Sequence, residues 1–600
     1  MPIDFRNTNT LWSSIIAETL QRLGLTIAVI SPGSRSAPLT IAFAQNNKLE
    51  TIPILDERSA SFFALGTAKK SGLPVGLICT SGTAAANFYP AIIEARESRI
   101  PLLIFTADRP PELRDCHAGQ AIDQVKIYGN YPNWQTELAM PATEIAMLGY
   151  LRQTIIYAWE RSQFPTPGPV HLNIPFREPL IPISDIAVEA LETQFNSEDF
   201  FAGLEPFIVA ETSTPPSPPL LRGGVGSTIE QWHKCSRGII IAGVAQPQFP
   251  DKYCSAISQI SKSLNWPVLA EGLSPLRNYD RLNPHLISTY DLILRNRELA
   301  NKLTPEIAIQ IGDLPTSKEL RNWLDKTQPK RYIIDPSHHN LDPLHGQTTH
   351  LRTSPENLAT ILTLVPPLKK GGLGEDRVSF ANEYLQLWHN TETQIRQTID
   401  QKLSTINNII EPKVSWLLPQ ILPPGTPIFI ANSMPVRDVE FFWKPNNLEI
   451  KPFFNRGANG IDGTLSTALG VAHRNQSSIL LTGDLALLHD TNGFLIKNKF
   501  VGHLTIILIN NNGGGIFEML PVANFDPPFE EFFATPQQID FAQLCATYGV
   551  EHEIIEDWEQ LTKKLNFLPN RGIRVLELPT NRRSNAKWRQ DNLSKFAKDL

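Results

Sequence analysis

The sequence contains few cysteines, and none of them are spaced as a structural metal site or a disulfide framework would require. Its 600 residues include five cysteines, Cys79, Cys116, Cys235, Cys254 and Cys545. They are scattered, odd in number and free of any CxxC spacing, which excludes the usual zinc and secreted disulfide scaffolds. The sequence therefore predicts a protein of the reducing cytoplasm.

Long apolar runs and an excess of positive charge are also missing. No apolar stretch reaches the roughly 18 residues that cross a bilayer, and the N-terminus MPIDFRNTNTLW lacks the basic and apolar segments of an export signal. The formal net charge is −6 and the pI is near 6.1. Such a balance offers no polycationic surface for nucleic acid or an anionic membrane. We therefore expect a soluble metabolic protein that acts on small molecules.

Helical and strand-like segments alternate in three blocks of the chain. The first, residues 1–185, contains the helical stretch LWSSIIAETLQRLG followed by the apolar run LTIAVI. The second, residues 186–365, contains RGIIIAGVA, and the third, residues 380–600, contains SSILLTGD and LTIILINNN. This alternation is typical of βα winding, in which helices cover both faces of a parallel sheet. The pattern predicts three α/β domains, each with a doubly wound parallel sheet.

Two Pro/Gly-rich stretches separate these blocks and are near copies of each other. They read PPLLRGGVG at residues 218–226 and PPLKKGGLG at residues 366–374. Such composition cannot build a packed core, and neither copy has a P-loop lysine followed by Ser or Thr. We interpret them as solvated insertions, one near residues 213–228 of the second block and one at residues 366–379.

Polar residues follow two apolar strands of the third block. Asp484 ends SILLTGD, and 27 residues later Asn511 and Gly513 follow LTIILIN. The carboxyl ends of parallel strands bind ligands in α/β sheets. A carboxylate, an amide oxygen and a backbone carbonyl are the hard ligands of Mg²⁺, and Mn²⁺ shares them. The spacing favours a metal site at Asp484, Asn511 and the carbonyl of Gly513, although Asn and Gly also suit an ordinary turn.

This region resembles the diphosphate-binding motif of thiamine diphosphate enzymes, which consists of GD, about 25 further residues and then NN. Many of these enzymes have GDG where this chain has Leu485 after Gly483 and Asp484, which changes the turn but keeps the metal ligand. The resemblance implies thiamine diphosphate and Mg²⁺ as cofactors. It further implies cofactor contacts from Gly483, Asp484, Leu485, Asn511, Gly513, Ile516, Phe517, Leu520 and Ile461.

A second likeness to these enzymes lies in the first block. The stretch LDERSASFFALGTAKKSGLPVGLICTSGTAAANFYPAIIEA is similar to the region that holds their catalytic glutamate, which places Glu57 in that role and Thr80 and Ser81 beside the cofactor. Glu57 would share a proton with the aminopyrimidine and so promote deprotonation at C2 of the thiazolium. The alternative is an ordinary surface carboxylate at a helix start.

Longer motifs narrow the resemblance to one family. They are SPGSRSAPLT, TADRPPELRDCHAGQAIDQ, ANSMPVRD and NRGANGIDGTLSTALG. With GDLALLHDTNG and INNNGGGIF they resemble the 2-succinyl-5-enolpyruvyl-6-hydroxy-3-cyclohexene-1-carboxylate (SEPHCHC) synthase family over nearly the whole chain. The family implies condensation of 2-oxoglutarate with isochorismate and release of CO₂, on the route to menaquinone or phylloquinone.

Both of these substrates are dicarboxylates, and arginine binds a carboxylate through two parallel hydrogen bonds. Carried over from the family motifs, the catalytic candidates are Arg437 and Arg456, and the substrate-binding candidates are Ser34, Arg35, Arg109, Gln120, Lys318 and Ser433. Glu319, next to Lys318, departs from the basic residue of some family members. For any single arginine the alternative is a surface ion pair of little energetic consequence.

The resemblance also implies how the domains are arranged and how many chains are needed. It implies the pyruvate-oxidase-like arrangement, with a pyrimidine-binding domain at 1–185, a middle domain at 186–365 and a diphosphate-binding domain at 380–600. In such enzymes the cofactor lies between the first domain of one subunit and the third of another. We therefore expect a homodimer, with a homotetramer as the larger alternative.

Two other functions remain open from the sequence. The first is a different thiamine diphosphate enzyme, such as a 2-oxoacid decarboxylase or an acetolactate-synthase-like carboligase, which needs fewer cationic groups. The second is a non-catalytic scaffold relative. The presence of Glu57, Asp484 and Asn511 together argues against a scaffold.

Overall fold

A computed structural model describes residues 3–205, 225–364 and 375–598, and these ranges contain three six-stranded sheets. All strand pairs in the three sheets are parallel, which confirms the predicted fold class. The strands of the first sheet are β1 Ile27–Ile30, β2 Glu50–Pro53, β3 Val75–Cys79, β4 Leu102–Asp108, β5 Trp134–Glu137 and β6 Pro169–Pro175. The second sheet has β7 Gly238–Ala242, β8 Val268–Ala270, β9 Leu286–Ile287, β10 Ile307–Ile311, β11 Lys330–Ile334 and β12 Thr348–Leu351. The third has β13 Pro427–Ile430, β14 Lys451–Phe453, β15 Ser478–Gly483, β16 His503–Asn510, β17 Glu551–Ile554 and β18 Gly572–Pro579.

Helices connect the strands and cover the sheets. Around the first sheet they are α1 Thr8–Leu23, α2 Ala37–Gln45, α3 Glu57–Ser71, α4 Thr83–Asn87, α5 Tyr89–Glu97, α6 Ile145–Gln163, α7 Ile186–Glu189 and α8 Ser197–Phe200. Those of the second region are α9 Val225–Lys234, α10 Pro250–Leu264, α11 Tyr290–Leu294, α12 Arg297–Lys302, α13 Lys318–Thr327 and α14 Pro355–Leu364. The third region has α15 Glu375–Ser404, α16 Glu411–Ile421, α17 Met434–Phe442, α18 Thr464–Ala472, α19 Asp484–Leu488, α20 Phe541–Tyr548, α21 Trp558–Asn566 and α22 Arg582–Asn592.

The first and third sheets have the same strand order. It is β2-β1-β3-β4-β6-β5 in the first and β14-β13-β15-β16-β18-β17 in the third. In the third sheet the winding direction reverses between β13 and β15, and ligands bind at such a reversal, outside the carboxyl ends of the strands. The apolar runs that predict the central strands are buried along their length, as a sheet covered on both faces requires.

Helices α3 and α18 join the first and third sheets within one chain. A Cβ on Gly66 of α3 would lie 2.0 Å from the carbonyl oxygen of Thr467, and one on Gly470 of α18 would lie 2.1 Å from that of Phe63. Only glycine permits this close approach of two helix backbones. One hydrophobic core therefore runs from β3 through α3 and α18 to β16.

The interpretation of the two Pro/Gly-rich stretches as insertions lies largely outside the described residues. The second copy, 366–374, falls there completely, and the first contributes only its last two residues, at the start of α9. Packing on the first sheet continues beyond residue 185 to Leu204, and residues 375–379 belong to α15. The domain boundaries stay predictions. Across the described ranges, no helix is long and apolar enough to span a bilayer.

Candidate active site

A cleft of about 340 Å³ lies at the carboxyl ends of β13, β15 and β16. It brings together many of the residues that the sequence singled out, although they come from four separate loops. These are Ser433, Arg437, Arg456, Ile461, Gly483, Asp484, Leu485, Asn511, Gly513, Ile516 and Phe517. The cleft therefore lies at the place where an open parallel sheet binds ligands.

Asp484 supplies a buried carboxylate at one end of the cleft. Its Oδ2 accepts a hydrogen bond from the backbone N–H of Gly513 at 2.7 Å, and its Oδ1 accepts one from that of Leu485 at 2.9 Å. Burial raises the pKa of Asp484 to about 6, although the two backbone N–H groups act in the opposite direction. A bound cation would relieve the cost of burying this charge.

Asn511 presents an oxygen without a partner to the same end of the cleft. Its side-chain Nδ2 donates to Oε1 of Glu411 at 2.8 Å. Its Oδ1 is buried and accepts no hydrogen bond from the described residues. Buried polar atoms are nearly always satisfied, so an unpaired one in a cleft indicates a missing ligand.

The loop after Asn511 has no room for side chains. Gly513 has a φ of +138°, and a Cβ there would lie 2.4 Å from the carbonyl oxygen of Ala534. A Cβ on Gly514 would lie 2.7 Å from the ring of Phe517. The backbone therefore borders the cleft directly. With the carboxylate of Asp484 and the free oxygen of Asn511, it fits a divalent cation that carries a diphosphate.

Two arginines, Arg437 and Arg456, also line the cleft. Arg437 donates from Nη1 to the carbonyl of Ser433 at 2.6 Å. Arg456 donates to Oδ1 of Asn432 at 2.8 Å and to Oγ1 of Thr316 at 3.1 Å. All three acceptors are neutral.

The charges of these arginines are not balanced by those contacts. Burial lowers the pKa of both guanidinium groups, and the charge of Arg456 lowers that of Arg437 further. Ser433, between β13 and α17, has a φ of +71°, a strained value for a residue other than glycine. Two mutually repelling cations held by a strained turn suit an anionic ligand.

The predicted residues of the first domain form a separate cluster at the carboxyl ends of β1, β3 and β4. Arg109 donates to Oγ of Ser81 at 2.7 Å, and Gln120 donates to the carbonyl of Ser81 at 3.3 Å. The turn that carries Ser34 and Arg35 lies against Thr80, since a Cβ on the preceding glycine would lie 2.2 Å from the Thr80 side chain. Burial, and then the charge of Arg109, lowers the pKa of Arg35.

Glu57 is the first residue of α3 and is half-buried. The residue before it, Asp56, caps the helix by accepting from the backbone N–H of Arg58 at 2.9 Å. Asp56 also accepts from Nδ2 of Asn492 at 2.7 Å. Because Asp56 fills the capping role, the carboxylate of Glu57 is not needed for it.

Within one chain Glu57 does not reach the cleft. In the described part of the chain, no residue of the first domain lines it. An apolar depression is instead lined by Leu55, two residues before Glu57, and by Leu495, which are 66% and 43% exposed. The pyrimidine-side and diphosphate-side candidates therefore form two half-sites in a single chain.

Lys318 and Leu520 also lie outside the cleft. Lys318 is exposed at the start of α13, and Leu520 is 44% exposed after the turn Phe517–Met519. Ile461, Ile516 and Phe517 do line the cleft, and its other apolar lining residues include Met434, Leu485 and Ile509. The substrate role of Lys318 and the cofactor role of Leu520 stay predictions.

Several residues that hold the site were not singled out from the sequence. Asn432 and Thr316 are the partners of Arg456: Asn432 lies inside the motif ANSMPVRD, and Thr316 lies two residues before Lys318. The buried Lys69 donates to the carbonyl of Phe454 at 2.8 Å. Glu94 accepts from the backbone N–H groups of Gly457 and Ala458 at 3.0 and 2.7 Å. Lys69 and Glu94 thus hold the Arg456 loop from the first domain.

Comparison with protein-family models matches all three regions of the chain. Residues 12–127 match the thiamine pyrophosphate enzyme N-terminal TPP binding domain, and residues 225–430 match the middle domain of thiamine pyrophosphate enzymes. Residues 448–577 match the thiamine pyrophosphate enzyme C-terminal TPP binding domain. The cleft lies mainly in this last region.

Curated relatives match the chain from end to end. A 2-succinyl-5-enolpyruvyl-6-hydroxy-3-cyclohexene-1-carboxylate synthase of Trichormus variabilis is 65% identical and covers 100% of both chains. Enzymes of the same name from a Nostoc species and from Trichodesmium erythraeum are each 64% identical, covering 100% and 99% of this chain and 100% of their own lengths.

A solved structure has the same fold. It is the thiamine diphosphate-dependent 4-hydroxybenzoylformate decarboxylase of Rhodococcus jostii, with a TM-score of 0.67 and 14% identity over 95% of this chain and 99% of that one. At this identity the likeness concerns the fold alone.

Proposed function

Because the chain belongs to the thiamine diphosphate-dependent SEPHCHC synthase family, we propose that it condenses 2-oxoglutarate with isochorismate, giving SEPHCHC and CO₂. This reaction is a step towards menaquinone or phylloquinone. The observation that carries the proposal is the cleft, which is lined both by a metal-ligand set and by two arginines whose hydrogen-bond acceptors are neutral. Scattered free cysteines, with Cys116 exposed, support a reducing cytoplasm as its location.

The candidate metal ligands of the cleft are suited to hold the cofactor. Asp484, Asn511 and the carbonyl of Gly513 would bind Mg²⁺ or Mn²⁺ and, through it, the diphosphate. Thiamine diphosphate, when bound, supplies the electron sink that a 2-oxoacid needs to lose CO₂. Glu57 would hold the proton exchanged at its aminopyrimidine nitrogen.

The arginines of the cleft are suited to hold dicarboxylates. Arg437 and Arg456 are partly desolvated and bonded to neutral acceptors, so each keeps N–H groups for a carboxylate. The first-domain cluster adds the candidates Ser34, Arg35, Arg109 and Gln120, with Lys318 on the isochorismate side and Ser433 beside Arg437. Two anionic substrates can then approach each other without direct repulsion.

We infer that the active site is shared between two copies of the chain. Glu57 and Asp484 must serve one cofactor, yet Glu57 does not line the cleft of its own chain. The exposed apolar depression beside Glu57 offers a surface for a second copy to cover. A homodimer, or a homotetramer built from two such dimers, would complete both sites.

Product identification tests the proposed function. The protein is mixed with thiamine diphosphate, Mg²⁺, 2-oxoglutarate and isochorismate, and the products are identified by mass spectrometry. SEPHCHC and one CO₂ per turnover are expected. Release of succinic semialdehyde alone, or faster turnover of pyruvate than of 2-oxoglutarate, would favour the decarboxylase or acetolactate-synthase-like alternatives. The absence of thiamine diphosphate binding would favour a scaffold, which the full-length relatives do not support.

Replacing Arg456 by Ala should lower kcat/KM for a substrate by roughly 10 to 150-fold, the equivalent of a lost charge-assisted contact of about 1.5 to 3 kcal/mol. Arg437→Ala should have a similar effect. Steady-state kinetics with each substrate varied in turn measures the loss and shows which carboxylate each arginine binds.

The control is Arg281→Ala, which removes an exposed arginine of the middle domain and should leave kcat/KM unchanged within about twofold. Proton exchange at C2 of the bound cofactor should also be unchanged in Arg456→Ala, because no substrate takes part in that step. If the Arg456→Ala variant had the parental kcat/KM for both substrates, Arg456 would not be a substrate-binding residue.

A further inference from the structure

The side chain of Asn511 can present its oxygen to a metal only in one of two orientations of its amide. An amide carries its oxygen and its nitrogen on opposite sides of one planar group. The cleft needs the oxygen, yet the peptide chain around Asn511 does not by itself distinguish the two orientations. Something in contact with the amide must do so.

Glu411, the first residue of α16, is in contact with that amide. Its Oε1 accepts from Nδ2 of Asn511 at 2.8 Å, and Glu411 is 1% exposed. In the reversed orientation, Oδ1 of Asn511 would face a carboxylate oxygen with no proton between them. That contact is repulsive in a buried site. The carboxylate of Glu411 therefore fixes the amide with its oxygen towards the cleft.

Glu411 is itself held in place by the C-terminal helix. Arg589 of α22 donates to its Oε2 at 2.6 Å, and Asn585 accepts from its backbone N–H at 2.9 Å. Thr580 donates to Oε1 at 3.2 Å. Asn585 and Arg589 lie four residues apart, on one face of α22. The carboxylate has no freedom to rotate away from Asn511.

The same helix also contacts the metal-site loop directly. Arg582, one further turn back on α22, donates from Nη1 to the backbone carbonyl of Asn512 at 2.8 Å. Arg589 also binds Asp438, which follows Arg437 in α17. One helix thus holds the loop of Asn511 and the helix of Arg437 in fixed relation.

We propose that Glu411 is a positioning residue, held by Arg589, that orients the Asn511 amide so that Oδ1 binds the divalent cation. This inference rests on the metal site of the proposed function. Glu411 lies 100 positions before Asn511 in the sequence, outside the metal-site motif.

The test is the Mg²⁺ affinity of Glu411→Gln, measured by calorimetry with saturating thiamine diphosphate. The introduced amide must place its NH₂ against either Asn511 or Arg589, both of which are donors. We expect Mg²⁺ affinity to fall roughly 10 to 100-fold, the usual cost of losing the partner of a metal ligand. Thermal unfolding of the apoprotein, measured alongside, reports any change in folding.

Asp438→Asn is the matched control. Asp438 is equally buried and binds the same arginine, but it does not contact Asn511. Its Mg²⁺ affinity should stay within about threefold of the parent protein. Should Glu411→Gln fail to fold, Glu411→Asp keeps the charge but is too short to reach both partners, and it should lose Mg²⁺ affinity by a similar factor.

The outcomes separate this inference from the proposed function. If the parent protein binds no Mg²⁺ with thiamine diphosphate, the proposed metal site is wrong. If the parent binds Mg²⁺ and the Glu411 variants bind it within threefold, the role of Glu411 is wrong. An equal loss in Asp438→Asn would likewise overturn it, because the effect would then come from general damage to the buried cluster.

Discussion

The Glu57→Gln variant should bind thiamine diphosphate but exchange the proton at C2 of the cofactor roughly 10² to 10⁴ times more slowly than the parent protein, the range of general acid–base contributions. Glutamine has the shape of glutamate but cannot take up or return a proton at the aminopyrimidine. Hydrogen–deuterium exchange at C2, followed by rapid quenching and NMR without substrate, measures this step alone.

The neighbouring Asp56 provides a matched control for this variant. Asp56→Asn also removes one carboxylate at the start of α3, but asparagine is still a good helix cap. Its side-chain amide can still form a hydrogen bond with the amide of Asn492. Its C2 exchange should stay within about threefold of the parent. Parental exchange in Glu57→Gln would show that Glu57 is not the proton relay.

The Asp484→Asn variant should lose Mg²⁺ affinity by more than the roughly 10 to 100-fold that the loss of an outer partner costs. Asp484 supplies the only full negative charge among the three expected ligands. Asparagine keeps its size and can still accept from one of the two backbone N–H groups. Calorimetric titration of Mg²⁺ with thiamine diphosphate present measures the loss. The affinity for thiamine diphosphate should fall as well, because the metal and the cofactor bind together.

Asp490 is the control for Asp484, since it lies on the same segment and in a similar environment. Burial raises the pKa of each carboxyl group to about 6. Asp490 binds Ser466 and Ser59, however, and does not line the cleft. Asp490→Asn should change thermal stability and leave Mg²⁺ affinity within about threefold. Parental Mg²⁺ affinity in Asp484→Asn would place the metal elsewhere.

The fold and the metal-side residues could be predicted because their signals are local in sequence. Continuous apolar runs indicate strands buried on both faces, and the residues directly after them lie together at one edge of the sheet. For this reason Asp484, Asn511 and Gly513 could be placed together from their positions alone, and the structure puts all three in the cleft.

The supporting residues could not be found in the same way. Glu411 contacts Asn511 across 100 residues, and Glu94 contacts the Arg456 loop across more than 360. Such contacts depend on how helices pack, which periodicity does not fix. Leu520 is a candidate by motif likeness alone; it follows the turn Phe517–Met519, is 44% exposed and does not line the cleft, so its cofactor role stays a prediction.

The separation of Glu57 from Asp484 within one chain leads to the central claim, that one active site is built from two copies. Mixing the inactive variants Glu57→Gln and Asp484→Asn tests it, because a dimer of the two contains one site with both native residues. After dissociation and reassociation at equal concentrations, activity should return to about a quarter of the parental value, since half of the dimers are mixed and each has one intact site. If each site lay within a single chain, the mixture would stay as inactive as its components, and that result would contradict the shared site.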